Sequence, residues 1–414
     1  MEFTIESRKK SMVKFSDDLD YLTTVDNTSF SQKFTTNESL VKNLFDKKFI
    51  SKGVEGSVYK SYFKNPHSFY DPVAIKISTI KKDKTIKKLS QKQIYKLFYT
   101  NKVYHTRNFI ELVAQTLINQ LVLQNICPNF LLNFYWEYDV KHLDLITYNE
   151  FANFGDFESW SKIKHTDIYW FNALFQILIS LIAIKRTFNM LHTDLHTNNI
   201  LVYKVKPGGH WTYIIDNIKY HVPNLGYVFF IHDFGFAYIS NLNKTGTLKK
   251  QLYVDWHYND TLKYITDIGS DFYDISLLIR EWRNNDKVPS YFLKSINKIF
   301  DKKEIEYILS KRYYKLEYEY YKNHKPEEIK EYKQLLKNYP NITKKYNETH
   351  TTLTNKLYDI FHNTKNTLKS TSKFNINNII YTKIPKNSVN IETYSLDKSF
   401  DKSKLPKFLQ KIVK

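Results

Sequence analysis

The sequence predicts an α+β protein in two parts, a small β-rich part followed by a larger, mainly α-helical one. Three stretches carry that reading. Between Phe49 and Lys76, "KFISKGVEGSVYKSYF" and "DPVAIKIS" are two β-type runs about a glycine turn, the pattern of a hairpin. "LFQILISLIAIKRTF" has the apolar spacing of a buried helix, expected over 166–189. "MLHTDLHTNNILVY" then sets one Asp, two His and two Asn between that helix and the short β-type run "NILVY", so the polar cluster belongs to a helix-to-strand loop.

Composition bounds the classes. With 414 residues and 42% hydrophobic residues, the chain can bury a sizeable core. No apolar run in the sequence reaches the roughly 18–20 residues of a membrane span, and "MEFTIESRKKSMVKF" lacks the apolar centre of a signal peptide. A single cysteine, Cys127, excludes an intrachain disulfide and a multi-cysteine zinc site, and its apolar context beside Pro128 predicts core packing. These features together predict a cytoplasmic protein. A net charge of +20 favours anionic partners, nucleic acid or an acidic surface among them, although the Lys, Asn, Ile and Tyr richness also fits an AT-rich genome.

In chain order, residues 1–44 are rich in Ser, Thr, Asp and Lys and are expected to form a loosely packed extension. The β-rich part runs from about 45 to 152 and includes one helix, "NFIELVAQTLINQLVLQNI", that stops before Pro128. "LDLITYNEF" reads as a further strand. From 153 to about 365 helices dominate, at 166–189, 270–284, 290–310, 313–337 and 350–370, and "KPGGHWTYIIDNIKYHVPNLGY" interrupts them as a β-hairpin. Residues 366–414 form a polar, basic tail with short β-prone stretches.

The chemistry-bearing residues repeat a known order. His192, Asp194 and Asn199 stand in the spacing H-x-D-L-x-x-x-x-N, and the apolar run "YVFFIHDFGFAYI" ends in Asp233-Phe234-Gly235. Upstream, "ISKGVEGSVYKSYF" precedes the string Val-Ala-Ile-Lys that ends at Lys76. This set resembles the protein-kinase superfamily, with its glycine-rich loop, V-A-I-K strand, catalytic loop and D-F-G in that order. The chain has only 9 glycines, yet Gly53, Gly56, Gly155 and Gly235 fall where that family has one. The lysine-rich, AT-biased composition and the departures below make it similar to divergent kinases of large DNA viruses.

The resemblance implies a bilobal kinase-like domain over about 45–365 that transfers the γ-phosphate of ATP to Ser or Thr of proteins, with Mg2+, or Mn2+ in its place. It implies Asp194 as the base for the attacking hydroxyl, Asn199 and Asp233 as metal ligands, and Lys76 on the α- and β-phosphates. Glu111, the only acidic residue between Asp83 and Glu137, is the default partner of Lys76, with a surface helix cap as its other reading. Ser51, Gly53, Gly56, Val58 and Ala74 would line the nucleotide; Glu150 to Ala152 would offer backbone groups to adenine beside Asn149, and Asp156 would reach the ribose. His192, Gly235 and Asp274 would support the loops, with Asp271 as the alternative to Asp274.

Three departures mark the chain. His196 replaces the family's catalytic-loop lysine, the stretch from Asn199 to Asp233 is much longer than usual, and no A-P-E string follows D-F-G. A small-molecule kinase of the aminoglycoside or choline type shares H-x-D-x-x-x-x-N but usually lacks the G-x-x-G-x-V and V-A-I-K strings. A pseudokinase or a basic binding scaffold would have no use for Lys76, Asp194, Asn199 and Asp233 together.

Overall fold

Thr4 and Ser7 exchange hydrogen bonds, each backbone N–H donating to the other's hydroxyl (3.2 and 3.1 Å), and so start helix α1 (Ile5–Thr23) with a reciprocal cap. The computed structural model describes residues 3–23, 34–35, 44–53, 56–63, 72–79, 107–139, 144–239, 272–302, 305, 308–309, 352–361, 380, 384–405 and 407–410. Within them the protein is mixed α/β with several antiparallel sheets. The expected loose extension is instead helical over Ile5–Thr23, and Phe3, Ile5, Arg8 and Phe15 are buried. Its apolar side chains are too sparse to stand out from the polar residues between them.

A six-stranded sheet follows. Its strands are β1 (Phe34–Thr35), β2 (Leu44–Lys52), β3 (Gly56–Phe63) and β4 (Val73–Thr79), then, after helix α2 (Arg107–Leu123), β5 (Asn133–Asp139) and β6 (Asp144–Glu150). They lie in the order β1-β5-β6-β4-β3-β2, antiparallel except for the β1–β5 pair. Val73, Ile75, Ile146 and Tyr148 form a small apolar cluster that Phe15 of α1 completes. The strand and helix expected from "DPVAIKIS", "LDLITYNEF" and "NFIELVAQTLINQLVLQNI" correspond to β4, β6 and α2.

The rest of the chain carries the strands expected from "NILVY", the 206–227 hairpin and "YVFFI", and adds short two-residue ones. After β7 (Gly155–Asp156), α3 (Phe157–Ser161), α4 (Asp167–Phe188) and β8 (Met190–Leu191) come β9 (Ile200–Lys204), β10 (His210–Ile215), β11 (Ile218–Pro223), β12 (Tyr227–Ile231) and β13 (Tyr238–Ile239). Helices α5 (Tyr273–Arg283), α6 (Ser290–Ile299) and α7 (Leu353–Phe361), strand β14 (Asn390–Ser395) and helix α8 (Lys407–Gln410) complete it. The helix expected over 313–337 lies outside the described residues. Helix α4 is long and apolar enough to cross a membrane, contrary to the count of apolar runs, but every residue from Trp170 to Ile184 is buried inside the protein. It is the core helix, and Phe157, Trp160, Trp282 and Phe292 cluster about its Trp170. Cys127 is also buried, which pushes its thiol up to about 12 and leaves it inert.

The hairpin β10–β11 turns on Asp216 and Asn217, both left-handed (φ 51° and 62°), the geometry that suits the twist of paired strands and that Asp and Asn tolerate. Strand β14 of the basic tail pairs in parallel with β10, so the order is β11-β10-β14, and Asp397 accepts the N–H groups of Asp216 and Asn217 (2.8 Å each). Tyr394 is fully buried, its ring 5.2 Å from that of Tyr213 and its hydroxyl donating to Glu392 (2.8 Å). The tail is thus structural over 390–395. Tyr394→Ala should cost about 3–5 kcal/mol, the range for emptying a large aromatic site. Urea unfolding would read this as a lower midpoint, and an unchanged midpoint would make the tail strand dispensable.

Candidate active site

Register decides which side chains meet. Val58 pairs with Lys76 and Lys76 with Thr147 across β3, β4 and β6, while Ala74 pairs with Asn149, so all five share one face of the sheet. From that face the Lys76 ammonium reaches Glu111 on α2, at 2.7 Å from Oε1 and 2.8 Å from Oε2, and Asp233 at 3.3 Å. Burial alone would lower the Lys76 ammonium, but the carboxylates of Glu111 and Asp233 outweigh it and raise it well above the ordinary lysine value. For Asp233, burial acts upward and the Lys76 charge downward, and the charge wins, holding it at about 2. Both groups are therefore ionised near neutral pH. Gln115, one turn along α2, donates to Glu111 Oε1 (3.2 Å) and fixes that carboxylate from behind.

The turn at the end of β2 is closed by the Gly53 N–H, which donates to the Gly56 carbonyl (2.8 Å). A Cβ on Gly56 would lie 2.1 Å from the Ile77 carbonyl oxygen and 2.9 Å from the Ser78 Cα, so glycine is demanded here by the backbone of β4. That reason is not visible in the motif. Ser51 and Gly53 are exposed, and Ser51 sits across from Val58.

The polar loop is organised by Asp274, which accepts the backbone N–H groups of His192 (2.8 Å) and Thr193 (2.7 Å). Thr193 is left-handed (φ 66°), an unfavourable conformation for a β-branched residue, and its hydroxyl donates to the Phe236 carbonyl (2.6 Å). The His192 ring lies 4.8 Å from that of Phe234, with Nε2 on the His232 carbonyl (2.8 Å) and Nδ1 accepting the Asp194 N–H (3.3 Å), which assigns the proton to Nε2. Asn199 Nδ2 donates to the Asp194 carbonyl (2.8 Å). The His232 N–H in turn donates to the Asn199 carbonyl (3.1 Å) where β9 and β12 pair, so Asn199 and Asp233 are held beside each other.

The left-handed residue of the D-F-G string is Asp233 itself (φ 61°), while Gly235 lies in a 3₁₀ turn, Phe234–Phe236. Asp194 and His196 are half-buried, and the His196 carbonyl accepts the Asn199 N–H (2.9 Å). Asp156 caps α3, accepting the Ser159 N–H (2.7 Å). Glu150 and Ala152 lie at the end of β6 and just beyond it, and Ala152 is buried. Asp271 lies outside the described residues.

Three groups escaped the sequence reading. Glu281 accepts from the Thr197 N–H (2.8 Å) and hydroxyl (2.6 Å), bracing the far end of the polar loop. Its spacing from Asp274, about two turns along one helix face, was the available signal. Asn133 donates to Asn149 Oδ1 (2.8 Å) and pairs with Asn119 through bonds of 2.7 and 2.9 Å, and Asn149 donates to the Thr147 hydroxyl (3.0 Å). Arg8 binds the Glu150 carboxylate, and nothing local to Arg8 marks it.

Among the described residues no three His, Cys, Asp or Glu side chains cluster as a metal site. Asp233 and Asn199 offer one carboxylate and one amide oxygen, a hard and incomplete set. It suits a small cation that keeps waters and takes further oxygens from phosphates. The arrangement as a whole offers a positive charge, an ionised carboxylate for a cation, and a further carboxylate, Asp194, that could accept a proton.

No family model matches the chain. Short segments are similar to proteins of large DNA viruses. One, with the provisional name serine/threonine-protein kinase 019R, of Frog virus 3 (isolate Goorha), is 38% identical over 67 residues, 16% of this chain and 8% of that protein. Another, provisionally serine/threonine-protein kinase 380R of Invertebrate iridescent virus 6, is 32% identical over 69 residues, 16% of this chain and 13% of that protein. Uncharacterized protein 011L of Invertebrate iridescent virus 3 is 30% identical over 63 residues, 15% of this chain and 8% of that protein. The chain thus matches only a small fraction of the length of each.

The ion pair gives a test that needs no assay of function. Removing the Glu111 charge lets desolvation act on Lys76, so Glu111→Gln should lower the lysine and expose more free amine. Acylation at about pH 9, where ordinary lysines begin to react, followed by peptide mass spectrometry, should label Lys76 slowly in the wild type and several-fold faster in the variant. Equal labelling would mean that the pair does not form in solution.

Proposed function

We propose that the protein is an ATP-dependent protein kinase that moves the γ-phosphate of ATP to Ser or Thr hydroxyls, working between two lobes: the six-stranded sheet with α2, and the body that begins near 153. The observation that carries this reading is the contact of Lys76 with both Glu111 and Asp233, which joins three elements far apart in sequence. Phosphoryl transfer needs little covalent chemistry and much positioning of charge, and a lysine held by one carboxylate beside a second is suited to gripping phosphates. The provisional names of the viral proteins lend further support.

In this reading Lys76 holds the α- and β-phosphates while Glu111 keeps it from swinging away. Asp194 orients the acceptor hydroxyl and takes its proton. Asn199 and Asp233 would hold Mg2+, which when bound supplies charge neutralisation at the phosphate oxygens. Val58 and Ala74 cover the base, and Glu150 to Ala152 present backbone groups to it. His196 stands where a permanent charge is usual, beside the transferring phosphate. The substrate is a protein, and the compartment is the cytoplasm, or for a viral chain the host cytoplasm or the virion.

Asp194→Asn should abolish transfer, measured with radiolabelled ATP on generic basic and acidic proteins, while nucleotide affinity stays within about twofold, because the carboxylate acts on the acceptor. Choline and aminoglycosides in parallel reactions would expose a small-molecule kinase. Full activity in this variant would remove Asp194 from the mechanism.

Asp233→Ala should lose Mg2+-dependent ATP binding and transfer together, since the phosphates would face one another with less neutralisation. Titration of a fluorescent ATP analogue with and without Mg2+ would show it, and unchanged Mg2+ dependence would refute the assignment.

A further inference from the structure

Arg8 is only 4% exposed, and its guanidinium makes four hydrogen bonds to oxygens. Its Nε and Nη2 grip Glu150 as a fork (2.9 and 2.6 Å), Nη1 donates to the Pro128 carbonyl (2.7 Å), and Nη2 also meets the Phe130 carbonyl. The guanidinium lies over the rings of Phe3 (5.0 Å) and Phe230 (5.2 Å). Glu150 is otherwise tied to the backbone of Leu132, its Oε2 accepting the N–H (3.1 Å) and its own N–H donating to the carbonyl (2.8 Å).

The helix that carries Arg8 touches both apolar clusters. Phe3 and Ile5 belong to the large core, whereas Phe15 belongs to the small cluster on the six-stranded sheet, where it meets Phe134 and Tyr148. The start of the helix is held from the other end of the chain, since the Ile5 N–H donates to Glu392 of β14 (2.8 Å), which also accepts from Asn125 (3.1 Å). Hairpin β10–β11, strand β14, helix α1 and the end of β6 thus form one continuous path.

We infer that α1 is a brace joining the six-stranded sheet to the large core, and that Arg8, through Glu150, is a positioning residue for the edge where β6 leads into residues 150–152. The nucleotide part of this inference rests on the proposed function, in which those residues meet adenine. A forked, fully buried guanidinium fixes an angle as well as a distance, which a lysine ammonium does not. Movement of the sheet relative to the core would have to pull this contact apart.

Arg8→Lys and Arg8→Ala test it, with Ile360→Ala, a cavity beneath α7, as a control for general loss of stability. In the brace reading, hydrogen exchange at the Leu132 and Glu150 amides accelerates at least about tenfold in both Arg8 variants and not in the control. KM for ATP rises about tenfold with kcat changed less than about twofold, while Ile360→Ala leaves KM alone. The double variant Arg8→Glu with Glu150→Arg should recover part of the lost exchange protection if the pair is the cause. Exchange that matches the wild type in both Arg8 variants would overturn the brace. Accelerated exchange with unchanged KM would overturn the positioning role alone. If the wild-type protein transfers no phosphate, the proposed function falls and the nucleotide role with it, while the exchange measurement still decides the brace.

Discussion

The buried carboxylate of Asp274 is the constraint on which the polar loop depends. Burial pushes this group toward its neutral form, yet its two oxygens each receive a backbone N–H, from His192 and Thr193. Those bonds hold Thr193 left-handed, a conformation that costs on the order of 1–3 kcal/mol when nothing enforces it. With Thr193 reversed, the chain turns so that the His192 ring faces inward against Phe234 while the Asp194 side chain stays partly exposed. Loss of the carboxylate would therefore remove two of the bonds that hold this turn.

A second dependence runs through the sheet. Lys76 meets Glu111 because β4 lies between β3 and β6 in one register and α2 presents Glu111 to that face. A slip of one residue in either pairing would turn Lys76 to the opposite face. Gly56 guards that register, because its missing Cβ lets β3 lie against the backbone of Ile77 and Ser78. A glycine whose motif suggests contact with phosphate thus serves the protein's own strand.

What the sequence made legible was local. The apolar run of α4, the end of α2 before Pro128, and the β10–β11 hairpin each follow from neighbours in the chain, and the Lys76, Asp194, Asn199 and Asp233 motifs are strings of fixed spacing. The brace by Arg8, the pairing of β14 with β10, and the two-residue strands β7, β8 and β13 depend on partners far away, so no window of sequence contains them. Glu281 lay between these cases, on the same helix as Asp274 and one step of reasoning away. The polar network about Asn149 was hidden because Asn119 and Asn133 read singly as ordinary helix and strand residues.

The parallel pairing of β10 with β14 also fixes an order of events in time. Residues 210–215 leave the ribosome long before residues 390–395, and until the latter arrive one side of β10 has no native strand beside it. Ile5 waits longer still for Glu392. Contacts so distant along the chain carry a large closure entropy and tend to slow folding. The nascent protein therefore passes through a long interval in which an apolar strand edge is open to wrong partners. Its yield in a cell should depend on chaperones and on the pace of translation more than its finished stability would suggest.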